Sequence, residues 1–322
     1  MFKRRDLLTA TVCATLISCA PRYSSLMSSK RPLIIAHRGA SGSLPEHTLQ
    51  GFELAARQGA DVLEPDLVMS QDAQLIVRHD HFIGVSSNVD LVFPERRRTG
   101  AGVAGPEWFS EDFSALEFAQ LRARQPWLTR DQSHNDLYAI PTFAQVLELR
   151  ARSEASLGRA LYVYPELKLP SYFSSIGLDP VTAFVAMYQR LRPDEQARVL
   201  IQCFEPAALQ RLRAELGPGA FLTQLLPAMQ GELAISMELD AIARYANAIG
   251  PHKLGLIDAS RRSTGLLERA HSLGLKVHPW TFRDDQPVAH FNGIEDELRA
   301  YFALGVDGVF TDFPDTASRL RS

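Results

Sequence analysis

Four short strings carry side chains of the kind that chemistry needs: His37-Arg38, Glu64-x-Asp66, His79-Asp80 and Glu166-x-Lys168. In a strand, residues two apart face the same side, so Glu64 and Asp66 point together, and so do Glu166 and Lys168. Three carboxylates brought together raise one another's pKa, and a divalent cation relieves that repulsion. Oxygen-only ligation by Glu64, Asp66 and Glu166 selects a hard ion, Ca²⁺ or Mg²⁺, over zinc, which draws on His or Cys. Arg38 and Lys168 are then left to hold an anion. Phosphate suits them, because Arg offers two parallel hydrogen bonds and Lys a compact charge. His37 and His79 beside such a phosphate point to general acid–base catalysis of phosphodiester cleavage. Singly, each string has a bland reading as a surface pair or a structural hydrogen bond, which is how His134, His252 and His271 are read. The weight lies in the ordered set.

Convergence of these strings requires strands that end side by side. Short apolar runs at 33–36, 60–68, 161–167, 199–204, 221–226, 248–250 or 254–257, 276–281 and 308–311 alternate with helical patterns at 48–58, 143–152, 180–191, 207–216, 237–246, 265–273 and 295–304. The run at 74–77 follows strand two after a short polar turn. A parallel crossover needs about a dozen residues, so this run reads as a hairpin return. Eight strand–helix units predict an α/β TIM (β/α)8 barrel, whose chemistry sits at the strand C-termini. Residues 82–140 break the alternation and are too long for a connection. With Trp108, Phe109, Phe113, Phe118 and Trp127 they read as a capping insertion after strand two on the catalytic side. The basic run at 96–98 reads as a solvated turn.

The 322 residues carry 34 Lys and Arg against 37 Asp and Glu, a net charge of −3, with 46% hydrophobic residues. That balance excludes a disordered chain and a strongly basic nucleic-acid binder, so no nucleic-acid partner is expected. Residues 1–19 have the basic start, apolar stretch and small residues of a secretory signal. Leu16-Ile17-Ser18-Cys19 resembles a bacterial lipobox, which makes Cys19 the expected lipidation site, and KRRDLL resembles a twin-arginine signal. A linker at 20–32 and a barrel at 33–322 follow. Membrane contact is expected only through the N-terminal anchor, the location is expected to be periplasmic, and the oligomeric state is left open. Cys203 is the only thiol after Cys19, so no intramolecular disulfide forms in the body of the chain.

The strings HRGASGSLPEHT, LEPDLVMSQDAQLIVRHDH, PELK, WTF and GVDGVFTDFPD, in this order, resemble the glycerophosphodiester phosphodiesterase family from about Leu33 to Pro314. The segment after His81, including VFPERRR, resembles the exported bacterial branch, whose periplasmic enzymes use Ca²⁺. The resemblance implies His37 and His79 as the catalytic pair, with His37 as base and His79 as acid. It implies Glu64, Asp66 and Glu166 as metal ligands, Arg38 and Lys168 as the phosphate grip, and Glu46 as a supporting residue. The glycerol 2-hydroxyl would attack phosphorus, and the cyclic phosphate would open to glycerol 3-phosphate. Gln202, Phe204 and Trp280 occupy later strand ends, within reach of the glycerol side, with packing in the barrel core as the alternative for Phe204. Thr311 and Asp312 are expected to close the barrel by hydrogen bonding and not to be ligands. Pro65 removes a backbone donor from strand two without turning its carboxylates apart. A lysophospholipase D acting on lysolipids is the alternative with the same barrel, and a non-catalytic surface binding lipoprotein is the alternative of another class.

Overall fold

The computed structural model describes residues 31–100, 102–227 and 238–321. The expected signal segment with Cys19, and nearly all of the linker, lie outside the described residues. The strands are β1 (Leu33–His37), β2 (Val62–Glu64), β3 (Asp66–Met69), β4 (Leu75–Val77), β5 (Tyr162–Val163), β6 (Glu166–Leu167), β7 (Leu200–Cys203), β8 (Phe221–Leu226), β9 (Ala248–Pro251), β10 (Lys276–Val277) and β11 (Gly308–Thr311). They pair in the orders β11-β1-β2-β5 and β10-β9-β8-β7-β6-β3-β4. All pairs are parallel except β3 with β4, the hairpin return.

The break between the two sets falls at Pro65 and Pro165, which have no N–H to give to a ladder. Their carbonyls still accept, from Glu166 N–H at 2.9 Å and from Gln202 N–H at 3.0 Å. Thus β2 and β3 form one barrel strand, and β5 and β6 another. On the far side Asp307 N–H donates to Val277 O at 3.0 Å, and Phe310 N–H donates to Pro279 O at 3.0 Å. The ring is therefore closed by eight barrel strands among the described residues. The sixth runs through Ala248–Pro251, whereas Lys253–Gly255 is a 3₁₀ turn.

Helix α1 (Leu49–Arg57) begins at Thr48, whose hydroxyl accepts from Gly51 N–H at 3.1 Å, and it buries Phe52, Ala55 and Ala56. Helix α2 (Phe143–Leu157) opens on a Thr142/Gln145 capping box and runs five residues beyond its expected end. Gly158, at φ +63°, is what stops it.

Parity along the strands divides the core in two. Leu33, Ile35, Val62, Tyr162, Tyr164, Leu200, Phe221, Ala248 and Phe310 fill the barrel interior. Their neighbours Ile34, Ala36, Leu63, Val163, Ile201, Leu222, Ile249 and Val309 face outward into the layer under the helices. Burying each Val, Leu, Ile or Phe among them is worth about 1.5–3 kcal/mol. Continuing the inward rows toward the strand C-termini leads from Ile35 to His37, from Val62 to Glu64, from Tyr164 to Glu166 and from Leu200 to Gln202.

The segment 82–140 holds short helical turns at Val89–Val92, Pro94–Arg96, Ser110–Asp112 and Ala115–Phe118. Trp108, Phe113, Phe118 and Leu121 join the outer core. The run at 96–98 is exposed as expected at Arg97 and partly exposed at Arg96 and Arg98, whose side chains are 37% and 40% exposed, but its cations also pack on rings. The Arg96 guanidinium lies 5.0 Å from the Phe93 ring and pairs with Glu117, Arg97 lies 4.8 Å from the Trp108 ring, and Arg98 lies 4.1 Å from the Phe109 ring. Arg98 also pairs with Glu111 at 2.9 Å and Asp112 at 2.6 Å. The aromatic faces that build this segment attract the cations, and the acids hold them there.

Candidate active site

The turn after β1 departs from ordinary backbone. Arg38 and His47 both sit at φ +60°, and Gly39 at +86°. A Cβ on Gly39 would lie 2.9 Å from the carbonyl carbon of Gly51, so helix α1 can approach only a glycine there. The left-handed turn at Arg38 aims its N–H at both Glu64 O (2.9 Å) and Glu64 Oε2 (2.8 Å). Non-glycine residues held in this region cost about 1–3 kcal/mol each and cluster at functional sites.

A cavity of about 190 Å³ opens at these strand ends, lined by His37, Arg38, Glu64, His79, Glu166, Lys168, Gln202, Phe204 and Trp280, with Leu225, Thr281, Arg283 and Phe310 completing the wall. Asp66 and Glu46 stand behind that lining. Arg38 donates to Glu46 at 2.7 Å and its Nε lies 3.4 Å from Asp66. Lys168 Nζ lies 2.9 Å from Glu166 and 3.9 Å from Asp66. Gln202 donates to Glu64 Oε1 at 2.9 Å. Phe204 meets Trp280 edge to face at 5.9 Å, and the Trp280 indole N–H is tied to Gly250 O.

The acids do not ionise alike. Burial, then the charges of Asp66 and Glu166, raise Glu64 well above the usual carboxylate range. Glu166 is raised too, by burial and by Asp66, against the pull of Lys168. Burial acts in the same direction on Asp66, but Lys168 and His47 outweigh it and hold that carboxyl low. Glu46 is likewise held at about 2, because Arg38, His47 and His79 together outweigh its burial.

Among the described residues, His47, Glu64 and Asp66 form a group able to bind a metal, with donor atoms all within 4.8 Å of one another. His47 was not anticipated, although it follows Glu46 in the PEHT string. Its Nε2 accepts from Asp66 N–H at 3.1 Å, which commits that lone pair and makes His47 a prop under Asp66. Both carboxylate oxygens of Asp66 are buried without a hydrogen-bond donor. Buried carboxylate oxygens without a hydrogen bond, beside Glu64 and Glu166 whose pKa values are driven up by burial and then by neighbouring charge, fit a hard divalent cation.

The histidines differ in their partners. His37 Nδ1 lies 2.6 Å from Asp312 Oδ1, and His79 Nδ1 lies 2.9 Å from Asp80 Oδ1. Burial, then Arg38, lowers His37 to about 4 despite Asp312. Burial, then Arg38 and Lys168, lowers His79. Asp312 therefore does more than close the barrel. Register explains the contact: Ala36 pairs with Thr311, so the next step along β1 and β11 sets His37 against Asp312. The same parity that takes Ile35 to His37 takes Phe310 to Asp312. Asp312 Oδ2 in turn accepts from Arg130 Nη2 at 2.7 Å and Arg283 Nε at 2.8 Å. Neither arginine was anticipated. Arg130 comes from the segment 82–140, where no periodicity marks it.

With this geometry in hand, the model of the Glycerophosphoryl diester phosphodiesterase family matches residues 37–316. The chain belongs to this family. It is an enzyme, and it aligns over 97% of its length, at 29% identity, with 95% of a glycerophosphodiester phosphodiesterase of Haemophilus influenzae. It aligns over 95% of its length, at 28% identity, with 92% of one from Bacillus subtilis. Its fold is that of an Oleispira antarctica phosphodiesterase solved in complex with the product sn-glycerol-3-phosphate, with TM-score 0.65, 20% identity, and coverage of 91% of this chain and 98% of that one. The enzyme thus pairs an α/β barrel of this structural group with a strand-end site rich in acids, cations and imidazoles.

Proposed function

We propose that this enzyme hydrolyses glycerophosphodiesters to glycerol 3-phosphate and an alcohol, using His37 and His79 for proton transfer. The observation that carries the reading is the meeting of two imidazoles, two carboxylates and two cations, Arg38 and Lys168, around one cavity of about 190 Å³, with the Asp66 carboxylate behind them beside both cations. Glu64, Asp66 and Glu166 are the residues that would hold a divalent cation, Ca²⁺ or Mg²⁺, which when bound neutralises charge on the phosphoryl oxygens. Arg38 and Lys168 grip the phosphate. With Nδ1–H given to Asp312, neutral His37 has Nε2 free to take the proton of the glycerol 2-hydroxyl as that oxygen attacks phosphorus. The bond to the alcohol breaks, and His79 gives the departing oxygen its proton. The anion gripped by Arg38 and Lys168 offsets the two cations that lower His79, which favours its protonated form. Water then opens the cyclic phosphate with the two roles exchanged. Phe204 and Trp280 offer an apolar wall to the carbon face of the glycerol.

A cavity of about 190 Å³ ringed by His37, Arg38, His79 and Lys168 suits a small water-soluble diester better than the long chain of a lysolipid. The leader at 1–19 supports export to the periplasm and a lipid anchor on Cys19, as in the exported bacterial branch, and mass spectrometry of the mature N-terminus tests both. The central experiment is a coupled assay of glycerol 3-phosphate release from glycerophosphocholine, with lysophosphatidylcholine in parallel. Glycerophosphocholine is expected to be cleaved, chelation to stop the reaction, and Ca²⁺ or Mg²⁺ to restore it. Preference for the lysolipid overturns the substrate, and full activity after chelation overturns the metal reading.

A further inference from the structure

We propose that the segment 82–140 is part of the catalytic machinery: Arg130 positions His37 through Asp312, so the tautomer of the base depends on a residue outside the barrel. This rests on the proposed role of His37. Asp312 is buried between three partners that divide its oxygens. Oδ1 takes His37 Nδ1–H at 2.6 Å, while Oδ2 takes Arg130 Nη2 at 2.7 Å and Arg283 Nε at 2.8 Å. Arg130 is buried as well, and every arm of its guanidinium is used. Nε and Nη2 hold Asp285 at 2.8 and 3.2 Å, and Nη1 donates to Ser41 O at 3.2 Å. Its planar head lies 5.1 Å from the Trp127 ring and 5.4 Å from the Phe313 ring.

Ser41 belongs to the turn that follows the base, and its hydroxyl donates to His37 O at 2.8 Å. The segment therefore grips His37 from two sides, by its ring through Asp312 and by its backbone through Ser41. Gln125 adds a second hold on Ser41 O at 3.0 Å. A planar, always-charged fork suits this task, since a lysine cannot reach Asp285, Asp312 and Ser41 at once. The two arginine donors at Oδ2 also dictate which tautomer His37 adopts. With a carboxylate, Oδ1 remains an acceptor and the ring must carry its proton on Nδ1, leaving Nε2 bare toward the cavity. With an amide, the arginines demand the oxygen, the NH₂ turns to Nδ1, and the ring proton moves to Nε2. That ring cannot accept a proton from substrate at Nε2.

Asp312→Asn and Arg130→Ala in the metal-loaded full chain test this. Asp312→Asn is expected to lower kcat by about 100-fold with KM changed less than about threefold, the scale on which outer hydrogen-bond partners act. Long-range ¹⁵N–¹H spectra of the imidazoles should show His37 with its proton on Nδ1 in the wild type and on Nε2 in Asp312→Asn. Arg130→Ala should lose about 10-fold in kcat and regain part of it with millimolar guanidinium, which can enter the vacated site. An unchanged His37 tautomer in Asp312→Asn, wild-type kcat, or an Arg130→Ala loss that guanidinium does not relieve overturns the proposal. The tautomer is read without turnover, so an enzyme inactive on glycerophosphodiesters would defeat the functional reading and still leave this one to be judged.

Discussion

The two imidazoles of the site are held in opposite styles. His37 stands on a barrel strand, its side chain 13% exposed, with Nδ1 against a carboxylate that is itself 2% exposed and pinned by two arginines. His79 follows the hairpin strand β4, its side chain 31% exposed, and its partner Asp80 is 44% exposed and adjacent in sequence. A hydrogen bond among fixed, buried groups sets one orientation and one tautomer, whereas one made to a hydrated carboxylate sets neither firmly. The difference matches the two proton transfers proposed. A base must be aimed at one hydroxyl before reaction. An acid meets a leaving alcohol whose head group varies, on the side where product departs, and gains from room to adjust.

The largest effect expected is from removing either ring. His37→Ala and His79→Ala should each lower kcat by about 10³-fold, within the range that positioned acid–base groups contribute. Product binding and metal binding should be largely kept, because Arg38, Lys168 and the three acids are untouched. Single-turnover kinetics with glycerol 3-phosphate titrations check both halves. Near wild-type turnover in either variant breaks the pairing.

A smaller effect is on stability. The folded pKa of His37, about 4, lies below the ordinary 6.5 of the unfolded chain, so between these values the unfolded state binds more protons. The neutral, buried ring contributes stability that is fully present above pH 6.5 and is lost as pH falls toward 4. From pH 7 to pH 5 the loss for this one ring is about 2 kcal/mol. Urea unfolding with chelator present should show the decline, and His37→Ala should flatten it more than His79→Ala does, since the hydrated His79 ring sits in the looser setting. Equal flattening by the two variants would remove the contrast.

Much of this contrast was legible in the residues, and the reason is periodicity. Strand parity is a local property, so the rows ending in His37, Glu64, Glu166 and Gln202 could be read off spacing. Asp312 lies on such a row two residues after Phe310, and only the closing register of β1 with β11 turns that position into a partner of His37. Arg130 carried no comparable mark. It reaches the site through the tertiary packing of an irregular segment, and spacing says nothing about where such a side chain arrives. The run at 96–98 was half legible for a related reason: charge pattern predicts its exposure, but the rings of Phe93, Trp108 and Phe109 on which the guanidiniums lie meet them only in the folded segment. His47 was hidden differently, by a single bond to the Asp66 backbone that a left-handed turn makes possible.

The smallest effect expected is at Asp80, and it tests the contrast most directly. Asp80→Asn replaces the partner of His79 with an amide that no arginine orients, so the amide oxygen is free to turn to Nδ1 and accept its hydrogen. The ring keeps its tautomer, and only a charge that water already screens is lost. The result should be a change of less than about threefold in kcat, worth under about 1 kcal/mol of barrier. The same substitution at Asp312 is chemically identical and differs only in what faces the far side of the carboxylate. Steady-state kinetics of the two variants side by side therefore measure the worth of a fixed partner against a hydrated one. Should Asp80→Asn cost as much as Asp312→Asn, the loosely held histidine is as dependent on its carboxylate as the clamped one, and burial is not what separates them.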